Sequence, residues 1–181
     1  LSAQLRTAGH TVIQLVRGKA TKGQRTWRPE HPHPDLLRGV DVLVHLAGEP
    51  IFGRFNDQHK AAIRDSRVGP TERLARLAGT TDSVHTMVCA SAVGFYGADR
   101  GDEILTEDSA PGDGFLADVV VDWESACEPA RTAGTRVVNI RTGIAMSGGS
   151  GLLPLLRALF STGLGGPFGD GEFWFSWVAL D

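Results

Sequence analysis

The chain is poor in cysteine. Only Cys89 and Cys127 occur in 181 residues, too few for a disulfide-stapled scaffold. Both sit in apolar surroundings, one in an expected strand and one in an expected helix. They read as small buried hydrophobes, and a reducing cytoplasm is the simplest setting for them. Long apolar runs are missing as well. No stretch of eighteen apolar residues exists, so no transmembrane helix and no membrane partner are expected. The opening residues carry no leader pattern. Neither sign of charge dominates: 18 basic residues face 21 acidic ones, for a net charge of −3. That balance gives no general attraction to nucleic acid or anionic membranes. Nor does a basic face or stacking motif argue for a nucleic-acid partner. His31 and His33 alternate with prolines in a stiff connector. No cysteine or carboxylate cluster joins them to make three or four ligands, so no metal is expected. There is no internal repeat and no low-complexity linker.

What is present is an alternation. Hydrophobic residues make up 41% of the chain, enough for one α/β domain with a core. Residues 1–9 read as the end of a helix, with Leu1 and Leu5 on one face and Gly9 as its stop. Residues 11–16 form a β-branched strand, and Thr26-Trp27 a short one. Residues 40–48 form a strand apolar on both faces, as in a buried parallel sheet. Asn56 is a good N-cap and Asp57 suits the positive end of a helix through Arg64. Gly69-Pro70 interrupts that helix and residues 71–77 resume it. Residues 84–97 are a strand that stops in small residues. The acidic loop that follows, from Asp99 to Asp108, has the character of a solvated surface. Asp113 is expected to cap the next helix, with Phe115, Val119, Trp123 and Cys127 among its apolar positions. Residues 136–140 are a strand, and Arg141-Thr142-Gly143 a turn after it. Residues 148–151 are flexible, 152–159 a helix, 163–171 a glycine-rich segment and 172–180 an aromatic, strand-like tail. Strands alternating with helices place the chain in the α/β class with a parallel sheet.

The stretch 84–97 organises the rest. Ser91 and Gly94 let the chain turn and approach a ligand closely. In an open parallel sheet, ligands bind just beyond the carboxyl ends of strands. Ser91 therefore stands where a reacting group is expected. By the same rule Ala47-Gly48 ends its strand with little side-chain bulk, so that a cofactor or backbone can come close. His45, just before, reads as a core histidine with one satisfied nitrogen. Arg17 closes the 11–16 strand, and Lys19, Lys22, Arg25 and Arg28 follow. This cluster is either a solvated loop or, if a dinucleotide binds, the cation that accommodates an adenosine 2′-phosphate. Arg17 thus points to NADP over NAD.

Six segments occur in an ordered series. They are His45-Leu46-Ala47-Gly48-Glu49-Pro50, Asp65-Ser66-Arg67-Val68, Ser91-Ala92-Val93-Gly94-Phe95-Tyr96-Gly97, Trp123-Glu124, Arg141-Thr142-Gly143 and Gly163-Leu164-Gly165-Gly166-Pro167. Together they resemble the epimerase-like branch of the extended short-chain dehydrogenase/reductases, often labelled nucleoside-diphosphate-sugar epimerases. The resemblance covers nearly the whole chain. It implies a Rossmann-like, doubly wound parallel sheet, one NAD(P)-binding domain over residues 1–181, and NADP(H) in the crevice with NAD less favoured. The implied cofactor wall is Arg17, Ala47, Gly48, Ser91, Arg141, Thr142 and Gly143. The implied substrate side is Phe95, Tyr96 and residues 163–171. The substrate would be a small molecule, with nucleotide sugars as candidates; the oligomeric state stays open.

The same resemblance marks what is not here. Members begin with a strand and a Gly-x-x-Gly-x-x-Gly turn that cradles the pyrophosphate at a helix N-terminus, and they continue beyond residue 181. The chain is therefore expected to be truncated at both ends, with its sheet incomplete for want of the first strand. In the order 3-2-1-4-5-6, strands 11–16 and 40–46 then lose their common partner. Each unpaired buried amide costs about 1–3 kcal/mol, so poor folding, low solubility and no cooperative melt are expected of these residues alone. The superfamily works with Ser, Tyr and Lys. Ser91 matches the serine, but the Tyr and Lys positions, counted back from Glu124, fall near Leu116 and Val120. Neither can move a proton. Tyr96, the only tyrosine, is an aromatic shelf beside the ligand or an acid with no lysine to tune it. Ala179 stands where the family usually has a histidine. Two functions follow: an NADP-dependent epimerase-like oxidoreductase using Ser91 and Tyr96, or a catalytically silent NADP(H)-binding sensor or structural protein.

Overall fold

The computed structural model describes residues 1–167 and 169–180; Phe168, in the glycine-rich segment, and Asp181 lie outside them. Two compact units are present. The first comprises Leu1–Val88 and Ala126–Val138. It opens with helix α1 (Ser2–Thr7). Gly9 ends it in the left-handed region at φ +89, where its amide and that of His10 return to the Arg6 and Leu5 carbonyls. This is the glycine stop expected from the sequence. Strand β1 (Gln14–Val16) pairs in parallel with β2 (Gln24–Thr26), and these two make a sheet of their own. The β1 strand is thus half the length expected.

Strand β3 (Val42–His45) buries Leu43 and His45, while Val42 is 45% and Val44 41% exposed. The sequence predicts burial on both faces; the structure covers one. Among the described residues no layer is packed over the other face, so its valines meet solvent. Helix α2 (Asp57–Asp65) starts as expected, with Asn56 Oδ1 accepting the His59 amide at 2.8 Å. The helical break lies at Ser66-Arg67 instead of Gly69-Pro70. Helix α3 (Val68–Gly79) carries Pro70 in its first turn, where a missing N–H is harmless because those donors have no intrahelical acceptor. Ile63 and Leu74 are fully buried in this unit. Helix α5 (Glu128–Thr132) packs on α3 so closely that a Cβ on Gly79 would lie 2.7 Å from Ala133 Cβ.

Strands β4 (Thr86–Ala92) and β5 (Arg136–Thr142) join β3 in a sheet of order β3-β4-β5. The second unit comprises Cys89–Ser125 and the described residues from Asn139. Burial along β4 alternates with period two, placing Met87, Cys89 and Ser91 on one buried face. A 3₁₀ turn, Val93–Tyr96, follows. Helix α4 (Phe115–Ser125) buries Ala117, Val119, Val120 and Trp123. Its first amide bond runs from Asp118 to the Gly114 carbonyl, so Gly114 holds the cap position expected of Asp113. Arg141 and Thr142 belong to β5, correcting the turn expected there; their pairing in the sheet fixes them more firmly than a turn would. Strand β6 (Ile144–Ser147) pairs antiparallel with β7 (Ser150–Gly151) and parallel with β8 (Trp177–Ala179). The expected flexible stretch 148–151 is thus the end of a hairpin. Helix α6 (Leu152–Ser161) lies between β7 and β8. Neither cysteine is in a disulfide and both are buried, and no helix among the described residues is long and apolar enough to cross a membrane.

Candidate functional site

The second unit gathers Ser91, Glu124, Arg141, Tyr96 and Phe95. Ser91 ends the buried face of β4 and is 6% exposed. Glu124 lies four residues after the buried Val120 on α4, hence on the same helix face. Arg141 is carried by β5. Ser91 Oγ donates to Glu124 Oε1 at 2.5 Å. Arg141 lays its fork along the same carboxylate, Nε to Oε1 and Nη2 to Oε2, each at 2.9 Å. Its Nη1 donates to the Tyr96 hydroxyl at 3.0 Å and to the Glu107 carbonyl at 3.2 Å. The guanidinium also sits 3.4 Å over the centroid of the Phe95 ring, a cation–π placement that needs the planar, weakly hydrated head of arginine. These contacts hold the Arg141 guanidinium protonated well above the ordinary arginine range. Its hydrogen bonds to Glu124 contribute most, against the opposing effect of burial. The Tyr96 hydroxyl in turn donates to the Thr106 carbonyl at 3.0 Å, so its proton points at main chain.

Beside Tyr96 a cavity of about 380 Å³ opens between residues 97–100 and 111–113. Its wall depends on a close approach. A Cβ on Gly112 would lie 2.1 Å from the Tyr96 carbonyl oxygen, and the Gly112 amide donates to the Phe95 carbonyl. Trp174, from the chain before β8, donates its indole N–H to Asp102 at 2.9 Å in the same unit.

Of the expected cofactor residues, the structure brings Ser91 and Arg141 together through Glu124. Thr142 is exposed and donates to the Ile140 carbonyl. Gly143 is crowded: a Cβ there would lie 2.7 Å from Ser176 Oγ. Arg17, Ala47 and Gly48 belong to the first unit. Arg17 is exposed at the carboxyl end of β1 and makes no ion pair with a described residue. Of its basic neighbours, Arg25 turns inward instead, donating to the Leu36 and Arg38 carbonyls. Gly48 packs against the Arg67 guanidinium, whose Cζ a Cβ would meet at 3.0 Å. Arg67 donates to the Glu49 and Ile63 carbonyls, and Ser66 Oγ accepts the Glu49 amide. The Ser66-Arg67 pair therefore shapes the loop after β3. The small Gly48 makes room for the protein's own Arg67 guanidinium. His45 has its Nε2 without a hydrogen-bond partner, and burial pushes its imidazole down to about 4.

Glu124 is the member that sequence reasoning left without a role. The signal was available in part: a carboxylate in phase with Val120 on the buried face of α4 needs a cation, and Arg131, Arg136 and Arg141 follow it in the chain.

Comparison with known proteins bears on this geometry. No family model matches the chain. An epimerase family protein of Mycobacterium bovis is 42% identical across all of the chain, which spans 61% of that relative's length. A nucleoside-diphosphate sugar epimerase from Corynebacterium glutamicum has a solved structure 60% identical at a TM-score of 0.87, covering 98% of this chain and 37% of that one. The human epimerase family protein SDR39U1, solved with NADPH, is 29% identical at a TM-score of 0.83, covering 98% of this chain and 60% of the human one.

Proposed function

The chain belongs to the epimerase-like branch of the extended short-chain dehydrogenase/reductases, with their Rossmann-type α/β fold, and from that premise we propose that it is part of an NADP(H)-binding oxidoreductase acting on a nucleotide sugar. The observation that carries this reading is the Ser91–Glu124–Arg141 set at the end of β4, in a position where α/β sheets bind ligands. The NADPH in the human relative and the nucleoside-diphosphate sugar named for the Corynebacterium relative support the two ligand classes.

Arg17 fits the phosphate of such a cofactor, being an exposed cation with no ion pair to a described residue. The Ala47-Gly48 backbone, in the same unit as Arg17, would border the rest. When bound, the nicotinamide supplies the hydride chemistry. Ser91 binds the reacting oxygen of the substrate. Arg141 keeps Glu124 charged and fixes the Phe95–Tyr96 edge on the substrate side. Two buried thiols outside any disulfide suit the cytoplasm. The second reading, a silent NADP(H)-binding sensor, draws on α4. Leu116 and Val120 stand where the superfamily keeps its proton-moving pair, and Val120 is buried as packing.

Fluorescence titration of the full-length polypeptide with NADPH and NADH, beside Arg17→Asp, tests the cofactor. We expect NADPH to bind more tightly than NADH, and the substitution to weaken NADPH by tenfold or more while sparing NADH. Equal weakening of both would remove Arg17 from the phosphate site. Turnover of a keto-sugar nucleotide with NADPH would then separate enzyme from sensor.

A further inference from the structure

A serine has one hydroxyl proton and two lone pairs, so the direction of that proton decides what Ser91 offers a ligand. Ser91 Oγ donates to Glu124 Oε1 at 2.5 Å, the separation of a hydroxyl bound to an ionised carboxylate. Arg141 donates to both oxygens of that carboxylate at 2.9 Å. A carboxylate with a guanidinium laid along both oxygens stays ionised, and an ionised carboxylate only accepts. The proton between the two residues therefore belongs to Ser91 and points at Glu124. Ser91 is 6% exposed, so bulk water has little access to turn it.

From this we infer that Glu124 makes Ser91 an acceptor-only site, which selects a ligand group that donates a hydrogen bond, a sugar hydroxyl, over a carbonyl at the same place. The ligand class rests on the nucleotide-sugar reading above; the direction of the Ser91 proton does not. Glu124 is a positioning residue that acts through Ser91. A hydroxyl meeting Ser91 places its hydrogen on a serine lone pair. A carbonyl there sets lone pair against lone pair and leaves a desolvated acceptor unsatisfied, which amounts to roughly tenfold to a hundredfold in affinity. Glu124→Gln reverses the logic. Glutamine cannot accept from Ser91 and from both Arg141 nitrogens at once; with its oxygen kept on Arg141 Nη2, its amide takes the Oε1 place and donates to Ser91. Ser91 is left with its own proton to give.

The test has two arms, both on the full-length polypeptide. Neutron diffraction locates the Ser91 deuteron, expected on the line to Glu124 Oε1 in the wild type and turned away from residue 124 in Glu124→Gln. Calorimetric titration uses UDP-6-deoxyglucose and its 4-keto counterpart, which differ in a single hydroxyl or carbonyl. The wild type is expected to favour the hydroxyl sugar by about tenfold or more, and Glu124→Gln to favour the keto sugar. Ser91→Ala, which keeps the Glu124–Arg141 pair, is expected to show no preference and serves if the glutamine variant fails to fold. A wild-type deuteron pointing elsewhere, equal binding of the two sugars, or a keto preference in the wild type overturns the inference. A deuteron on Ser91 Oγ directed at Glu124 Oε1, with neither sugar bound, upholds the acceptor assignment and removes the nucleotide-sugar reading instead.

Discussion

Removing one member of the Glu124–Arg141 pair has a calculable consequence. Arg141→Met strands a carboxylate, which keeps the Ser91 donor and loses both guanidinium bonds. Breaking a fully buried pair in this way costs about 3–5 kcal/mol. The two side chains here keep 17% and 15% of their surface, so water reaches part of the stranded charge, and we expect about 2–3 kcal/mol. Arg141→Lys keeps the charge but loses the fork, the Tyr96 contact and the stack on Phe95, for about 1–2 kcal/mol. Glu124→Gln removes the charge and keeps the shape, also at about 1–2 kcal/mol. The double variant Glu124→Gln/Arg141→Met no longer holds a carboxylate deprived of its guanidinium. Its loss should fall short of the sum of the single losses by about 1–2 kcal/mol. Equilibrium urea unfolding of the full-length polypeptide, followed by circular dichroism, reads all four values. Additive single losses, with a coupling below about 0.3 kcal/mol, would refute the reasoning, because the pair would then be two independent surface groups.

Gly112→Ala should cost at least about 2 kcal/mol, since its Cβ would overlap the Tyr96 carbonyl and shift backbone that holds an amide bond to Phe95; a thermal melt within a degree of wild type would contradict the close approach. His45 gives a pH dependence: its imidazole is held down to about 4, from 6.5, so the unfolded chain takes up a proton first as pH falls. Stability is fully present above 6.5 and is lost between 6.5 and 4, by about 3 kcal/mol in all and about 2 kcal/mol of it by pH 5. His45→Phe should abolish that slope, and unchanged unfolding curves at pH 7 and pH 5 in the wild type would refute it. Tyr96→Phe should cost about 1–2 kcal/mol by leaving the Thr106 carbonyl and an Arg141 N–H short of a partner. As an aromatic shelf it would keep turnover within about threefold, whereas a hundredfold loss, about 2.7 kcal/mol of barrier, would make Tyr96 the acid.

Much of the fold can be read from local chemistry. The Asn56 cap, the Gly9 stop and the β4 strand that stops in small residues depend on neighbours in sequence, and each is found where its residues place it. Errors fall where a partner distant in sequence decides the outcome. The β3 strand reads as doubly buried because Val42 and Val44 are apolar, yet sequence does not say what covers them. Arg141 and Thr142 read as a turn because Gly143 follows, but sheet pairing holds them in β5. Pro70 reads as a helix breaker, while its place in the first turn makes it harmless.

The site shows the same limit more sharply. Matching Ser, Tyr and Lys by position finds Ser91 and then ends at Leu116 and Val120, because it looks for the cation one turn along the helix. In this chain the cation comes from a strand. Arg141 reaches the Tyr96 hydroxyl, the Phe95 ring and both oxygens of Glu124 at once, which a lysine with a single ammonium head could not do. Glu124 then needs no exposure to solvent to remain charged, and Ser91 needs no lysine to be held in one orientation. The same three side chains therefore account for an ordered serine: a strand-borne arginine holds both oxygens of the carboxylate that receives the Ser91 hydroxyl.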